Sequence, residues 1–355
     1  MALTIGGPAP WFAAPTPSSS PFHLSSLGGR YVLLAFLPDP SPEANAAWAH
    51  VQAHRKLFDD VNLVAFGVLR HPAAIAAAKD QLPGVRWYLD HDGAISRLYG
   101  ALDEAGVATP RWVLLDPTLR VLEVTPLDQA PALFVRLAML GDADRHAGTP
   151  MNAPVLIVPR VFEPALCRRL IEEYDKQGGA ISGVMREVGG MTVPVVDSFK
   201  KRRDAIIDDP ELREALRVRI VRRLLPQIEL AFQFKATRLE RYIVACYDAE
   251  EGGYFRPHRD NISKATAHRQ FAVSINLNSE EFEGGDLRFP EFGRRTYRPP
   301  TGGAVVFSCS LLHEATNVAK GRRYAFLPFL YDDASAKVRE ANEQYLVTTP
   351  AAVDE

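Results

Sequence analysis

Apolar and polar positions change their rhythm midway along the chain. In the first 140 residues, short all-apolar runs alternate with stretches of helical spacing. Tyr31–Leu37 (Tyr-Val-Leu-Leu-Ala-Phe-Leu) is apolar throughout, which predicts a strand buried on both faces. Ser41, Pro42 and Glu43 then supply a cap, a first-turn proline and a first-turn acid. The helix they start is expected to bury Trp48, Val51 and Phe58 on one face. Residues 62–69 predict a second apolar strand, 72–82 an Ala-rich helix, 86–89 a short strand and 94–100 a short helix. Residues 111–115 and 119–124 predict a hairpin around Asp116-Pro117-Thr118, with a helix near 130–141. The order βαβαβαββα belongs to an α/β unit with helices on the faces of a central sheet.

The second half reads differently. Residues 142–154 are small and polar and are expected to be a linker. A strand at 155–158 precedes a helix that starts at Phe162-Glu-Pro164 and runs to about Gln177, with Leu166, Leu170, Ile171 and Tyr174 on its apolar side. Residues 178–199 are rich in Gly and Val without helical period, which predicts a mobile loop that covers a site. Residues 210–232 predict a long amphipathic helix. Eight short strands follow, at 239–247, 254–258, 270–278, 285–290, 295–299, 303–308, 311–317 and 322–331. Gly, Pro, Asn and Asp separate them, the signature of a double-sheet jelly roll (a double-stranded β-helix) with flanking helices. The expected organisation is a domain at 1–141, the linker, a jelly roll at 155–333, and a tail at 334–355 that is helical and then frayed.

A length of 355 residues exceeds what one core usually spans, and 47% apolar residues are enough to bury two. With 41 basic and 43 acidic residues, no global basic field invites nucleic acid or an anionic membrane. The three cysteines, Cys167, Cys246 and Cys309, are odd in number and widely spaced. That argues against a disulfide framework or zinc knuckle and predicts a reducing cytoplasm. The start, MALTIGGPAPWF, has no basic patch ahead of an apolar run, so no signal peptide is expected. The longest apolar run is too short for a bilayer, so no membrane span is expected either.

Of nine histidines, only His258 has an aspartate two residues on, in His258-Arg259-Asp260. In a strand, i and i+2 share a face, so both side chains can reach one ion. His313 lies 53 residues beyond Asp260 and must arrive from another strand. Two imidazoles and one carboxylate form the facial set that holds iron(II) and leaves positions open. A His-x-Asp alone is as readily a surface polar pair; the second histidine and the strand-rich setting favour a metal. Arg322 and Arg323 open the last long strand. Adjacent residues face opposite ways, so one of the two can line a pocket, where its fork suits a carboxylate. Ser274 and Asn276 share one strand face, while Val273, Ile275 and Leu277 share the other. This fits a polar pocket backed by core, or any half-exposed strand. Tyr247 reads as a pocket residue or a core aromatic. Arg256 and Arg259 would meet an acidic substrate group or solvent, with solvent favoured. Cys246 and Cys309 read as buried small hydrophobes.

The motifs carry two family resemblances. Ile5-Gly-Gly-Pro-Ala-Pro10-Trp-Phe, the strand running into Pro38, and Thr109-Pro110 before the hairpin make the first half resemble the thioredoxin fold in its peroxiredoxin version. That resemblance implies a cis peptide at Pro110 and a thiolate where Asn45 stands. The thiolate would be the nucleophile. No cysteine precedes residue 167, so no peroxidatic thiol and no peroxidase chemistry are expected.

Residues 151–332 resemble the prolyl 4-hydroxylase branch of the 2-oxoglutarate oxygenases. The residues concerned are Val244-Ala-Cys-Tyr247, Gly252-Gly-Tyr254-Phe-Arg-Pro-His258-Arg-Asp260-Asn261, Glu283-Gly-Gly-Asp-Leu-Arg-Phe289, His313-Glu314 and Gly321-Arg-Arg323-Tyr-Ala. The resemblance implies Fe(II) held by His258, Asp260 and His313. It implies Arg323, ten residues after His313, on the distal carboxylate of 2-oxoglutarate, and Tyr247 hydrogen-bonded to the same co-substrate. Asn276 stands where oxygen-sensing members carry a tyrosine, so that contact falls to Asn276, water or another residue. The implied reaction is C–H hydroxylation coupled to decarboxylation of 2-oxoglutarate to succinate. Asp260 matters here because halogenases of the superfamily have a small residue at that place, so hydroxylation, or a related desaturation or ring closure, is expected. The expected substrate is a peptide or protein, in prolyl hydroxylase-like fashion. A small-molecule oxygenase and a non-catalytic redoxin-fold interaction protein are the alternatives. The first domain would dock a substrate, mediate homo-oligomerisation, or persist as a structural remnant.

Overall fold

In the computed structural model, which describes residues 3–37 and 41–347, the chain divides into two units. One comprises Met1–Ala153 with Pro290–Arg294, and the other Pro154–Phe289 with Arg295–Glu355. The expectations that touch Met1, Ala2, Pro38 and the end of the tail lie outside the described residues.

The first unit contains, in order, β1 (Ala13–Thr16), β2 (Ser19–His23), β3 (Tyr31–Leu37), α1 (Pro42–Ala53), β4 (Leu63–Leu69), α2 (Pro72–Ala77), β5 (Val85–Leu89), α3 (Ala94–Leu98), β6 (Arg111–Leu115), β7 (Val121–Pro126) and α4 (Ala130–Ala138). Its sheet has the order β5-β4-β3-β6-β7, parallel across the first three strands and antiparallel beyond. Leu33, Ala35 and Leu37 pack into one core, while Val32, Leu34 and Phe36 pack into the other. An apolar run without alternation is what a strand covered on both faces requires. The Ser41 side chain caps α1 by accepting from the amide of Ala44.

Three local expectations need correction, and one hairpin was not foreseen. Phe58 is buried, but it lies beyond α1, after the short turn Arg55–Leu57. α2 stops at Ala77, because Asp80 and Gln81 instead bond the backbone of the strand Val85–Leu89. A short helix is marginal on propensity alone, so such tertiary bonds decide its end. The β1–β2 hairpin was hidden by its Pro- and Ser-rich sequence. The cis peptide among the described residues is Leu82–Pro83 and not Thr109–Pro110; cis and trans differ by only about 0.5–1 kcal/mol before proline, so local packing chooses.

The second unit runs through β8 (Leu156–Val158), α5 (Pro164–Gln177), β9 (Ala180–Ile181), β10 (Val184–Val188), β11 (Met191–Val195), β12 (Lys200–Lys201), β13 (Arg203–Ile206), α6 (Pro210–Arg219) and α7 (Leu225–Phe232). A single π-turn, Ile220–Leu224, joins α6 to α7 ahead of Pro226, where an uninterrupted ladder would need an amide that proline lacks. The strands continue as β14 (Arg238–Glu240), β15 (Ile243–Asp248), β16 (Tyr254–His258), β17 (Phe271–Asn276), β18 (Glu283–Gly284), β19 (Leu287–Arg288), β20 (Thr296–Tyr297), β21 (Ala304–Ser308), β22 (His313–Ala315), β23 (Val318–Lys320), β24 (Arg322–Phe326) and β25 (Phe329–Tyr331), before α8 (Asp333–Asn342). The larger sheet has the order β14-β25-β17-β24-β15-β13-β9, with β21 between β17 and β8; the smaller runs β12-β16-β22-β19-β20.

Residues 178–199 are not a structureless loop. β10 and β11 pair from Val184↔Val195 to Val188↔Met191. Gly189 and Gly190, at φ +59° and +80°, make the two-residue turn that only glycine pairs and a few others form readily. The larger sheet has two unlike faces. Cys246, Val273, Ile275, Tyr324 and Phe326 pack with Leu166, Leu170, Leu216 and Ile220 of the helices. Tyr247, Ser274, Asn276 and Arg323 alternate with them and so face the other way.

Candidate metal centre

β16 ends at His258 and β22 begins at His313, and the two histidines are register partners across this antiparallel pair. The register shifts between Phe255 and His258, an irregularity of the kind that re-aims side chains at sites. Asp260 follows the strand end, where its amide donates to the Cys309 carbonyl at 2.9 Å. The tertiary structure thus brings His258, Asp260 and His313 together, with one donor atom from each inside 4.8 Å of the others. His258 Nε2 lies 3.6 Å from one Asp260 oxygen and His313 Nε2 3.3 Å from the other. Two donors each ~2.1 Å from one ion and at right angles would be ~3 Å apart, so the spacing suits a shared cation.

Both rings are held by their other nitrogen. His258 Nδ1 donates to the Arg256 carbonyl at 2.8 Å, and His313 Nδ1 to the Leu311 carbonyl at 3.0 Å. Each Nε2 therefore keeps its lone pair for a ligand bond. Burial, with His258 alongside, pushes His313 down to about 4, so it is neutral at physiological pH. Burial would raise the Asp260 carboxyl, but the two imidazoles outweigh it and hold it well below the usual range. A neutral imidazole beside an ionised carboxylate is the protonation state a divalent metal needs. Phe255 stacks on His258 with ring centres 3.5 Å apart, and Phe307 lies 4.5 Å from His313, giving the centre an apolar wall.

Arg323 is buried, at 2% exposure, while Arg322 is exposed and pairs with Asp248 at 2.6 Å. The strand alternation left this choice open, and packing settles which arginine is inside. Arg323 Nη2 donates to Ser274 Oγ at 2.8 Å, and its Nε and Nη2 reach Asn276 Oδ1 at 3.3 Å. Tyr247 is the register partner of Arg323 on β15, and its ring centre lies 5.2 Å from the guanidinium carbon. Gly285, at φ +67°, leaves room here, since a Cβ would press on Val318 and on the Arg323 stem.

Arg256 is exposed and lies over the Tyr254 ring, as expected of a solvated flank. Arg259 is not solvated: it is buried and donates to the Ser310 carbonyl, because the turn after His258 directs it inward. All three cysteines are buried and unbridged. Four residues escaped the sequence reading: Ser182, Lys200, Arg202 and Asp204, the last three of them largely buried near Tyr247 and Phe255. Their signal was present as Lys200, Arg202 and Asp204 at period two, masked by the basic run Lys-Lys-Arg-Arg. In the first unit, Asn45 lines a cavity of about 400 Å³ with Leu37, Ala44, Trp48, Leu69 and Trp87.

Residues 242–331 match the family model described as the 2OG-Fe(II) oxygenase superfamily, and residues 5–124 match the AhpC/TSA family. The second unit thus carries a 2OG-Fe(II) oxygenase domain and the first an AhpC/TSA domain of thioredoxin-like fold. Over 104 residues the chain is 27% identical to a PKHD-type hydroxylase of Synechococcus sp. (strain JA-2-3B'a(2-13)), covering 27% of this chain and 46% of the relative. The chain spans about half the length of the curated relatives it matches. Among solved structures, a viral collagen prolyl hydroxylase from Paramecium Bursaria Chlorella virus-1 is 16% identical, with a TM-score of 0.39 over 51% of this chain and 97% of that one. A prolyl hydroxylase from Trichoplax adhaerens, bound to a peptide of the hypoxia inducible factor oxygen degradation domain, is 18% identical, with a TM-score of 0.38 over 54% and 87%. No helix among the described residues is long and apolar enough to cross a membrane.

Proposed function

We propose that this chain, through its oxygenase domain, is an Fe(II)- and 2-oxoglutarate-dependent dioxygenase that hydroxylates a C–H bond, prolyl hydroxylase-like, on a peptide or protein. His258, Asp260 and His313 would hold the iron, and Arg323 would pair with the distal carboxylate of 2-oxoglutarate. Bound together, iron and 2-oxoglutarate supply the oxidising power, by decarboxylation to succinate. The chain's own residues orient and exclude. The Arg256 and Leu311 carbonyls fix the two imidazoles. Ser274 and Asn276 aim the Arg323 fork, so Asn276 acts on the arginine rather than replacing the absent tyrosine. The Tyr247 hydroxyl stands ready to bond the co-substrate, and Phe255 and Phe307 keep water from the ligand rings. Three buried cysteines fit a cytoplasmic setting. With Asn45 at the thiolate position, the first unit would serve in docking or self-association and not in thiol chemistry.

The observation that carries the reading is the three-donor cluster with both Nδ1 atoms already committed to backbone carbonyls. Anaerobic addition of Fe(II) and 2-oxoglutarate should produce a visible charge-transfer band, and oxygen should then release succinate. His258→Ala should abolish both. Succinate release that persists in the variant would defeat the assignment.

A further inference from the structure

Tyr247 stands between two guanidiniums. Arg323 lies on one side, and the guanidinium carbon of Arg202 lies 5.8 Å from the same ring, its Nη1 donating to the Tyr247 hydroxyl at 3.4 Å. Arg202 is 6% exposed, and its Nε has no hydrogen-bond partner. Beside it, Lys200 is 8% exposed and donates to Ser182 Oγ at 2.7 Å and the Gly183 carbonyl at 2.9 Å. Both cations touch Phe255, with Lys200 Nζ 4.9 Å and the Arg202 guanidinium carbon 6.0 Å from its centre. Phe255 in turn stacks on His258. Lys200 and Arg202 are therefore one aromatic ring away from the metal centre.

Ion pairing answers only one of the two charges among the described residues. Asp204 pairs with Arg202 at 2.7 Å and also accepts from Ser182 at 2.5 Å, while Lys200 has no ion pair of its own among the described residues and feels Asp204 and Asp260 only at a distance. A buried cation is stable only when paired and fully hydrogen-bonded. Here two cations face one paired carboxylate, and the Arg202 Nε–H remains unanswered among the described residues. Burial and the neighbouring Arg202 push the Lys200 ammonium well down, which is the electrostatic mark of that shortage. An anion with two acceptor oxygens would answer it.

We infer that Lys200 and Arg202 form a recognition subsite for a carboxylate carried by the primary substrate, beside the co-substrate pocket. This rests on the dioxygenase reading and narrows its substrate class to acids. The carboxylate is either an acidic side chain near the reacting residue of a peptide or the α-carboxylate of a free amino acid.

Matched acid and amide probes test it in the full-length protein loaded anaerobically with Fe(II) and 2-oxoglutarate. The probes are acetyl-Glu-Pro-amide against acetyl-Gln-Pro-amide, and L-proline against L-prolinamide, read by their perturbation of the charge-transfer band. At least one acid should act at about tenfold lower concentration than its amide, as expected for a charge-assisted contact. The responding pair identifies the source of the carboxylate. The preference should fall to within about threefold in Lys200→Met and in Arg202→Gln. Lys200→Met removes the charge with little change of volume, so it remains informative if Arg202→Gln fails to fold. Equal responses to acid and amide, no response to either acid at millimolar concentration, or a preference retained in Lys200→Met would each overturn the inference. Failure of the dioxygenase reading looks different: no charge-transfer band would form in the wild-type protein before any probe is added.

Discussion

His258 and His313 face each other across adjacent antiparallel strands, with ring centres 4.3 Å apart and each Nδ1 bonded to a backbone carbonyl two residues upstream. The same short device, repeated on two strands, leaves two Nε2 atoms beside one carboxylate. The two imidazoles of the proposed ligand set are therefore oriented by backbone bonds within the protein itself.

That preorganisation predicts a clean separation of metal binding from folding. His258→Ala should weaken Fe(II) binding by more than ~100-fold, beyond what losing an outer hydrogen-bond partner costs. Its urea unfolding should stay cooperative. Competition with a chromophoric chelator measures the first and circular dichroism the second.

The two adjacent arginines should behave oppositely. Arg323→Gln should raise the dissociation constant for 2-oxoglutarate by roughly 10- to 150-fold, the equivalent of about 1.5–3 kcal/mol for charge-assisted hydrogen bonds. Arg322→Gln, which breaks an exposed pair with Asp248, should change it less than about fivefold. Calorimetric titration of the metal-loaded protein distinguishes them, and similar losses in both would misplace the co-substrate anchor.

Glu240 should contribute to stability in a pH-dependent way. Burial alone would raise its carboxyl, but the hydrogen bond with His268 at 2.8 Å and the fork of Arg269 hold it far below the usual range. A depressed carboxylate stabilises the fold fully above its unfolded value of 4.5 and loses that contribution as pH falls towards its folded value. Glu240→Gln should cost about 2–4 kcal/mol at neutral pH, somewhat less than breaking a fully buried pair, because it leaves the partly buried Arg269 unpaired. The gap from wild type in urea midpoint should hold steady from pH 7 to about 5 and begin to narrow as pH is lowered from 4.5 to 3, and a gap that stays constant to pH 3 would contradict the linkage.

The thiols should be unreactive in the native state. Burial pushes Cys167 and Cys246 up to about 11, and it pushes Cys309 up as well. Iodoacetamide at pH 8 should label all three only after denaturation, as mass spectrometry would show. Rapid native labelling of any one would reveal an opening that the packing does not contain.

In the first unit, Gly67 lies against Trp87, whose ring occupies the place a Cβ would take, and Trp87 packs on Trp48 with centres 4.1 Å apart. Gly67→Ala should destabilise this unit by about 1–3 kcal/mol, the usual cost of overpacking, and change tryptophan emission. Iron binding by the other unit should be unaffected.

Where local spacing carries the information, the sequence was readable. The unbroken apolar run of β3, the Ser41 cap, the alternation of Ser274 and Asn276 with Val273 and Ile275, and the ligand spacing of His258 and Asp260 each follow from the period of a strand or helix. The hairpin at 184–195 was equally readable from Gly189-Gly190 between alternating residues, but its glycines and valines resemble those of a loop. Other features depended on contacts distant in sequence. Neither register nor burial is encoded within one strand, so the sequence narrowed Arg322 and Arg323 to one pocket residue without physically separating them. It contained the period-two pattern of Lys200, Arg202 and Asp204, yet a run of charges looks alike whether solvated or enclosed. Only the folding of β12 and β13 against β16 and β15 removes water from those cations. The chain alone determined which chemical groups are present and at what intervals. The tertiary structure decided which of them lost their solvent, because desolvation is a property of neighbours rather than of order along a polymer.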